Sequence, residues 1–299
     1  TGVFIDAAAR LVDDVVPPPD DAFRAEALRR ALAATARFGL TGVHDMGTSV
    51  ADLDLYRHFA DDGRLTLRVV AYADGDAAAL ERLCSDGPYR HASGRVSMAG
   101  VKFYADGALG SRGAALLEPY SDEHGNRGLL VTPPEKLLEG MRKARRCGVQ
   151  VATHAIGDRG NRLVLDDYAA VLGEAARSDH RWRIEHAQVA TLADIPRFEQ
   201  LQVIASMQPT HATSDMPWAE ARIGRERLAG AYAWRRFLQS NVRLALGSDF
   251  PVESADPRLG LHAAVTRQDL AGQPPGGWLP DQKLTPAEAL RGFTVDAAW

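Results

Sequence analysis

The sequence predicts a TIM-like (β/α)8 barrel, an α/β fold, and three observations lead there. β-rich runs alternate with amphipathic helical stretches along the 299 residues, which is the pattern of βαβ units and a parallel sheet. The length suits one large barrel, since such barrels often run to roughly 250 residues as a single unit. Polar residues close several of the β-rich runs: Asp45, Lys102, His154, His186 and Asp249. In a barrel, chemistry gathers at the C-terminal ends of many strands. An open doubly wound sheet would instead place it at a switch point with a Gly-rich first turn, and no G-x-G-x-x-G follows the early strands.

The elements follow in order. Pro17-Pro18-Pro19-Asp20 leads into a helix over Asp21 to Phe38, stopped at Gly39. Strands are expected at Thr41–Met46, Leu65–Tyr72, Ala99–Ala105, Val149–His154, Trp182–His186, Val203–Gln208 and Val242–Asp249. The helices between them are expected at Ala51–Asp61, Ala77–Leu83, Pro134–Arg146, Arg159–Ala176, Leu192–Gln200 and Leu228–Gln239. The whole of 1–299 reads as a single barrel domain. The stretch from Asp106 to Thr132 is too long for a mere connection and reads as a lid.

Composition narrows the partners. The net charge is −4 with mixed signs and no basic block, so nucleic acid is not expected. No run of about 18 apolar residues is present, so no membrane span is expected. The start carries no charged segment followed by an apolar one, so no signal peptide is expected either. Cys84 and Cys147 lie outside any C-x-x-C pattern and read as two reduced thiols, which suits a cytoplasmic protein. The expected partner is a small-molecule substrate, and a homodimer is compatible with the sequence.

Four strand-end residues form a candidate metal-ligand set. Lys102 stands in the apolar run Val101-Lys102-Phe103, where an unpaired ammonium would be costly to bury. One reading pairs it with Asp106 or another carboxylate. The other is chemical: burial favours the neutral amine, which can take up carbon dioxide as a carbamate and bridge two cations. His154 and His186 end neighbouring strands, and adjacent strands sit about 4.8 Å apart, so the two imidazoles can converge on one ion. Asp249 ends the last strand; alone it reads equally as a turn carboxylate before Pro251. Beside the other three it suits a metal-bound carboxylate that also takes a proton from activated water. Residues two apart on a strand share a face, which puts small residues beneath Lys102 (Gly100), His154 (Ala152) and Asp249 (Gly247). His186 breaks that pattern, because Ile184 and Trp182 share its face.

The segment Lys102-Phe103-Tyr104-Ala105-Asp106-Gly107-Ala108-Leu109-Gly110-Ser111-Arg112 resembles the K-x-x-x-D-G-x-x-G-S-R signature of metal-dependent amidohydrolases. The similarity is to the subgroup containing N-substituted formamide deformylase and the YtcJ-like proteins. Thr153-His154-Ala155-Ile156-Gly157-Asp158, Glu185-His186-Ala187-Gln188, Met207-Gln208-Pro209-Thr210-His211 and Gly247-Ser248-Asp249-Phe250-Pro251 resemble its later motifs, in order. The resemblance implies a barrel with one or two divalent metals, usually zinc. It implies Lys102 as the carboxylated bridging ligand, His154 and His186 as ligands, and Asp249 as ligand and general base. It also implies an H-x-H pair on the first strand and a β-sandwich built from both chain ends. The sequence has no H-x-H, so the expectation is a barrel lacking its first strand and the flanking sandwich segments, truncated at both ends.

Around the mouth, Gln208, His211 and Arg112 are candidate substrate contacts; Gln208 reads equally as a turn residue, and Arg112 as a solvated surface arginine. The expected function is hydrolysis of a non-peptide C–N bond, amide or N-formyl, through metal-activated hydroxide, with zinc the expected metal and Asp249 the catalytic residue. The rival is a catalytically inactive, truncated or regulatory barrel without a complete metal site. A phosphate-binding barrel would want Gly-rich loops after strands seven and eight, and none is present.

Overall fold

A computed structural model of the chain describes residues 2–4, 6–75 and 77–299. It comprises two compact units, one of Thr1–Phe103 with Lys143–Gln150 and one of Tyr104–Arg142 with Val151–Trp299.

In the first unit, Asp20 opens the helix Asp21–Arg37 by accepting a hydrogen bond from the Phe23 N–H at 2.8 Å. Strand β1 (Gly42–Thr48) pairs in parallel with β2 (Arg68–Asp74), with Val43 opposite Val69. Ser49 caps the intervening helix Val50–Asp61. A two-residue strand, β3 (Tyr89–Arg90), runs antiparallel to β4 (Val96–Tyr104), which is parallel to β2. The short β3 was not expected. Among the described residues β1 has one strand partner, and most of its residues are only half-buried, whereas β2 is largely buried. Gly100, two residues before Lys102 on β4, is glycine for a definite reason: a Cβ there would lie 2.7 Å from the Tyr72 ring.

The cysteines correct the sequence reading. Cys84 and Cys147 form a disulfide, with Cα atoms 5.1 Å apart across a separation of 63 residues. The helices Ala77–Asp86 and Pro134–Arg146 end beside these cysteines, and Glu81 and Lys143 form an ion pair nearby. The expectation of reduced thiols fails, and with it the support it lent to a cytoplasmic setting. No helix among the described residues is long and apolar enough to cross a membrane.

The second unit repeats the strand–helix step. Strands β5 (Gln150–Ala155), β6 (Arg183–His186), β7 (Ile204–Met207) and β8 (Leu244–Leu246) pair in parallel, each with the next. Helices Asp158–Leu172, Ile195–Gln200 and Trp234–Gln239 precede or follow them as expected, with somewhat shifted bounds. Their core packs Tyr168 edge-on against Trp182 and Phe198 edge-on against Phe237, with ring centroids 4.9 and 5.0 Å apart. Two further helices, Pro209–Asp215 and Ala219–Arg227, fill the stretch between β7 and β8. The parallel strand–helix repeat is that of a TIM-like (β/α)8 barrel, with seven parallel strands among the described residues.

The Asp106–Thr132 stretch is a packed segment and not a loose lid. Leu109, Ala114, Ala115, Leu116 and Tyr120 are buried. Its fixing point is Asp106, whose carboxylate accepts from the N–H groups of Ala115 (2.9 Å), Ile156 (2.9 Å) and Gly157 (2.8 Å). Glycine is required where the segment crosses the end of β5: a Cβ on Gly157 would meet the Ala115 carbonyl at 2.0 Å.

Candidate metal centre

His154 lies within β5, His186 is the last residue of β6, and Asp249 lies three residues beyond the end of β8. His186 and Asp249 have left-handed backbone, at φ 74° and 56°. Non-glycine residues adopt that conformation at a cost, and such strain concentrates at functional positions. It also removes the exception noted in the sequence. The two-residue facing rule holds for extended backbone, so it does not assign His186 to the face of Ile184, nor Asp249 to that of Gly247.

The imidazoles of His154 and His186 meet edge-on with centroids 4.6 Å apart, and that of His186 stacks on His211 at 5.7 Å and 17°. His211 Nε2 and Asp249 Oδ2 are 3.9 Å apart. Ligand atoms of His186, His211 and Asp249 all lie within 4.8 Å of one another. His154 Nε2 lies 3.6 Å from Asp106 Oδ1, the carboxylate that organises the segment behind it. The second unit thus gathers His186 and Asp249 from the expected ligand set and adds His211, which the sequence had suggested as a substrate contact. Lys102 belongs to the first unit, where it is buried on β4.

Gln208 precedes the helix Pro209–Asp215, and its amide is committed to the site. Its Nε2 donates to the Ser206 carbonyl at 3.3 Å, which sets the orientation of the amide. Its Oε1 lies 2.8 Å from His186 Nδ1 and can only accept, so Nδ1 carries a proton and the tautomer of a neutral ring would leave the lone pair on Nε2. The sequence had left Gln208 between a substrate contact and a turn residue; its partner here is the imidazole of His186. Arg112 is engaged as well, with Asp122 at 3.0 Å and Glu123 at 3.3 Å.

His211 sits in the first turn of that helix. Burial pushes its imidazole down to about 4, so it is neutral at pH 7. Its Nε2 is buried with no hydrogen-bond partner. The far end of the helix is tied by Asp215, which accepts from Tyr232 Oη at 2.7 Å and Gln188 Nε2 at 3.1 Å. Burial holds the Asp215 carboxyl up to about 6. Sequence reasoning missed this anchor, although Gln188 stands in the quoted Glu185-His186-Ala187-Gln188 motif.

These residues fit a divalent metal. Two imidazoles, one of them neutral by burial, and a carboxylate are a donor set used by catalytic zinc, and the partnerless His211 nitrogen is the kind of atom a metal satisfies. A cleft in the first unit, lined by Leu53, Arg57, Arg82, Leu83, Tyr89 and Met98, offers no such set. Its arginines engage Asp54, at 3.4 and 3.5 Å.

Comparison with known proteins adds the family. The profile of the amidohydrolase family matches residues 1–299. Protein LONG AFTER FAR-RED 3 of Arabidopsis thaliana is 34% identical, over 100% of this chain and 53% of its own length. The putative amidohydrolase YtcJ of Bacillus subtilis is 33% identical, over 100% and 56%. The chain therefore spans about half the length of the curated relatives it matches. The crystal structure of an uncharacterized metal-dependent hydrolase from Pyrococcus horikoshii superposes with a TM-score of 0.85 at 31% identity, covering 97% of this chain and 57% of that one.

Proposed function

The chain belongs to the amidohydrolase family, and on that premise we propose that it carries the catalytic face of a metal-dependent hydrolase cleaving a non-peptide C–N bond, an amide or N-formyl group, of a small molecule. The observation that carries this reading is the convergence of His186 and Asp249, with His211, beyond parallel strands. Zinc is the ion that this nitrogen and oxygen donor set suits best. When bound, such an ion supplies Lewis acidity to the carbonyl under attack and to the attacking water.

The chain's own residues do the rest. Gln208 fixes the tautomer and ring plane of His186. Asp249, whose side chain is 41% exposed, is placed to accept a proton at a carboxylate oxygen and return it to the leaving nitrogen. Asp106 and the segment it holds form a fixed wall behind His154. The resemblance further implies ligand roles for His154 and for a carboxylated Lys102.

The test is amine release from a panel of N-substituted formamides and simple amides by the zinc-supplemented chain. Release that stops on chelation and in Asp249→Asn is the expected result. Failure of the folded, metal-loaded chain to cleave any member of the panel contradicts the reading.

A further inference from the structure

The proposed hydrolysis makes no use of the Cys84–Cys147 bond, whose setting is not that of a buried structural bridge. Cys84 lies in the last turn of the helix Ala77–Asp86. Cys147 follows the helix Pro134–Arg146, and its N–H still donates to the Lys143 carbonyl at 3.1 Å. Both cysteines are half-buried, and around them Ser85, Asp86, Arg145, Arg146 and Gly148 are exposed. Bridges within reach of solvent are the labile ones, open to attack by a thiolate.

A second rung accompanies the bridge. Glu81 stands one helical turn before Cys84, and Lys143 one turn before Cys147. Their ion pair therefore lies beside the disulfide and joins the same two helix ends. Tyr72 Oη, donating to Gln150 Oε1 at 2.7 Å, adds another tie between Thr1–Phe103 and Lys143–Gln150, the two stretches of the first unit. With these contacts in place, opening the bridge leaves the two sulfurs near enough to re-form it.

The charges around the two sulfurs differ. Cys147 follows Lys143, Arg145 and Arg146. Cys84 has Glu81 and Asp86 close in sequence, and its one neighbouring cation, Arg82, is engaged by Asp86 (3.3 Å) and Asp54 (3.5 Å). Both sulfurs stand at helix C-terminal ends, whose dipole disfavours a thiolate at either one. Nearby cations favour the thiolate, and the better stabilised thiolate leaves faster. Cys147 is thus the leaving sulfur and Cys84 the one attacked.

We propose that Cys84–Cys147 is a reversible thiol–disulfide exchange site for a small thiol, opening while the chain stays folded. The thiolate of the small thiol attacks Cys84 Sγ, the bridge breaks, and the electron pair leaves on Cys147 Sγ, which takes a proton from solvent. A second small thiolate then attacks the small thiol's sulfur in the mixed disulfide, and Cys84 leaves with the electron pair. Two small thiols are oxidised to one disulfide, and the bridge is reduced to two thiols.

The test places the full chain in buffers of reduced and oxidised glutathione, followed by acid quenching, alkylation of thiols and peptide mass mapping. Circular dichroism is recorded alongside. Millimolar reduced glutathione should expose both cysteines to alkylation with the spectrum unchanged, and oxidised glutathione should restore the bond. The intermediate should carry glutathione on Cys84, and the open form should unfold at a lower temperature, because the unfolded chain loses its cross-link. A bond that yields only after denaturant is added marks a structural staple and overturns the proposal. So does opening that abolishes the native spectrum, or a chain whose thiols stay unpaired in oxidised glutathione. An adduct confined to Cys147 overturns the choice of attacked sulfur. None of these outcomes depends on the hydrolase reading.

Discussion

Asp106 and Asp249 are aspartates placed just past strands β4 and β8, yet they do opposite things. Asp106 is buried, and its oxygens accept three backbone N–H groups drawn from two distant stretches of chain. Asp249 is 41% exposed, sits on left-handed backbone, and faces an imidazole at a distance too long for a hydrogen bond. The contrast separates structure from chemistry. A carboxylate surrounded by backbone donors fixes a fold, whereas one presented to a neutral imidazole on strained backbone suits an ion or a proton.

The larger effect on stability is expected at Asp106. Asp106→Ala leaves three buried donors without their acceptor, each costing about 1–3 kcal/mol, so a loss of at least about 3 kcal/mol in urea unfolding is expected. Asp249→Ala, by contrast, should change stability by less than about 1 kcal/mol. Equal losses in the two variants would erase the distinction. A smaller effect is expected from Gly160→Ala, whose Cβ would lie 2.5 Å from Asp106 Oδ2. Overpacking of that kind costs about 1–3 kcal/mol, and a neutral result would mean that Asp106 is less rigidly held than its hydrogen bonds imply. On the chemical side, Gln208→Ala should weaken zinc binding about 10- to 100-fold with little change in the unfolding midpoint. Unchanged affinity would remove Gln208 as the orienting partner of His186.

The two sides also differ in sign with pH. Burial pushes the Asp106 carboxyl from 3.8 up to about 7, against the opposing pull of its three backbone hydrogen bonds. Native Asp106 therefore holds a proton that the unfolded chain has released, and its contribution falls as pH rises through that window. His211 runs the other way. Its native value of about 4 lies below the ordinary 6.5, so the unfolded chain binds the proton more tightly. Its contribution is complete above 6.5 and is lost as pH falls toward 4. Unfolding midpoints measured across pH 4 to 6.5 should therefore show a steeper rise with pH in Asp106→Asn and a shallower one in His211→Gln, without added metal. Parallel profiles in all three proteins would contradict the assigned environments.

Much of this was legible in the sequence, and the gaps have physical causes. Continuous apolar runs gave the parallel strands, and strand-end polarity singled out His154, His186 and Asp249, because local patterning encodes both. Asp106 escaped notice as a structural hub because its partners Ala115, Ile156 and Gly157 meet it only through loop closure. His211 was seen as a candidate substrate contact, but not its place in a helix, since Pro209 reads as a turn while it also opens that helix. The left-handed backbone at His186 and Asp249 carries no glycine to announce it. The Cys84–Cys147 bridge spans 63 residues without any spacing motif, so only the folded chain brings the two thiols together.

The proposed hydrolysis requires metal at the strand ends. The measurement is zinc content by plasma mass spectrometry after saturation and desalting, on chain shown to be folded. About one equivalent, lost in a His186→Ala variant, is the expected result. A folded chain that retains no zinc would contradict it.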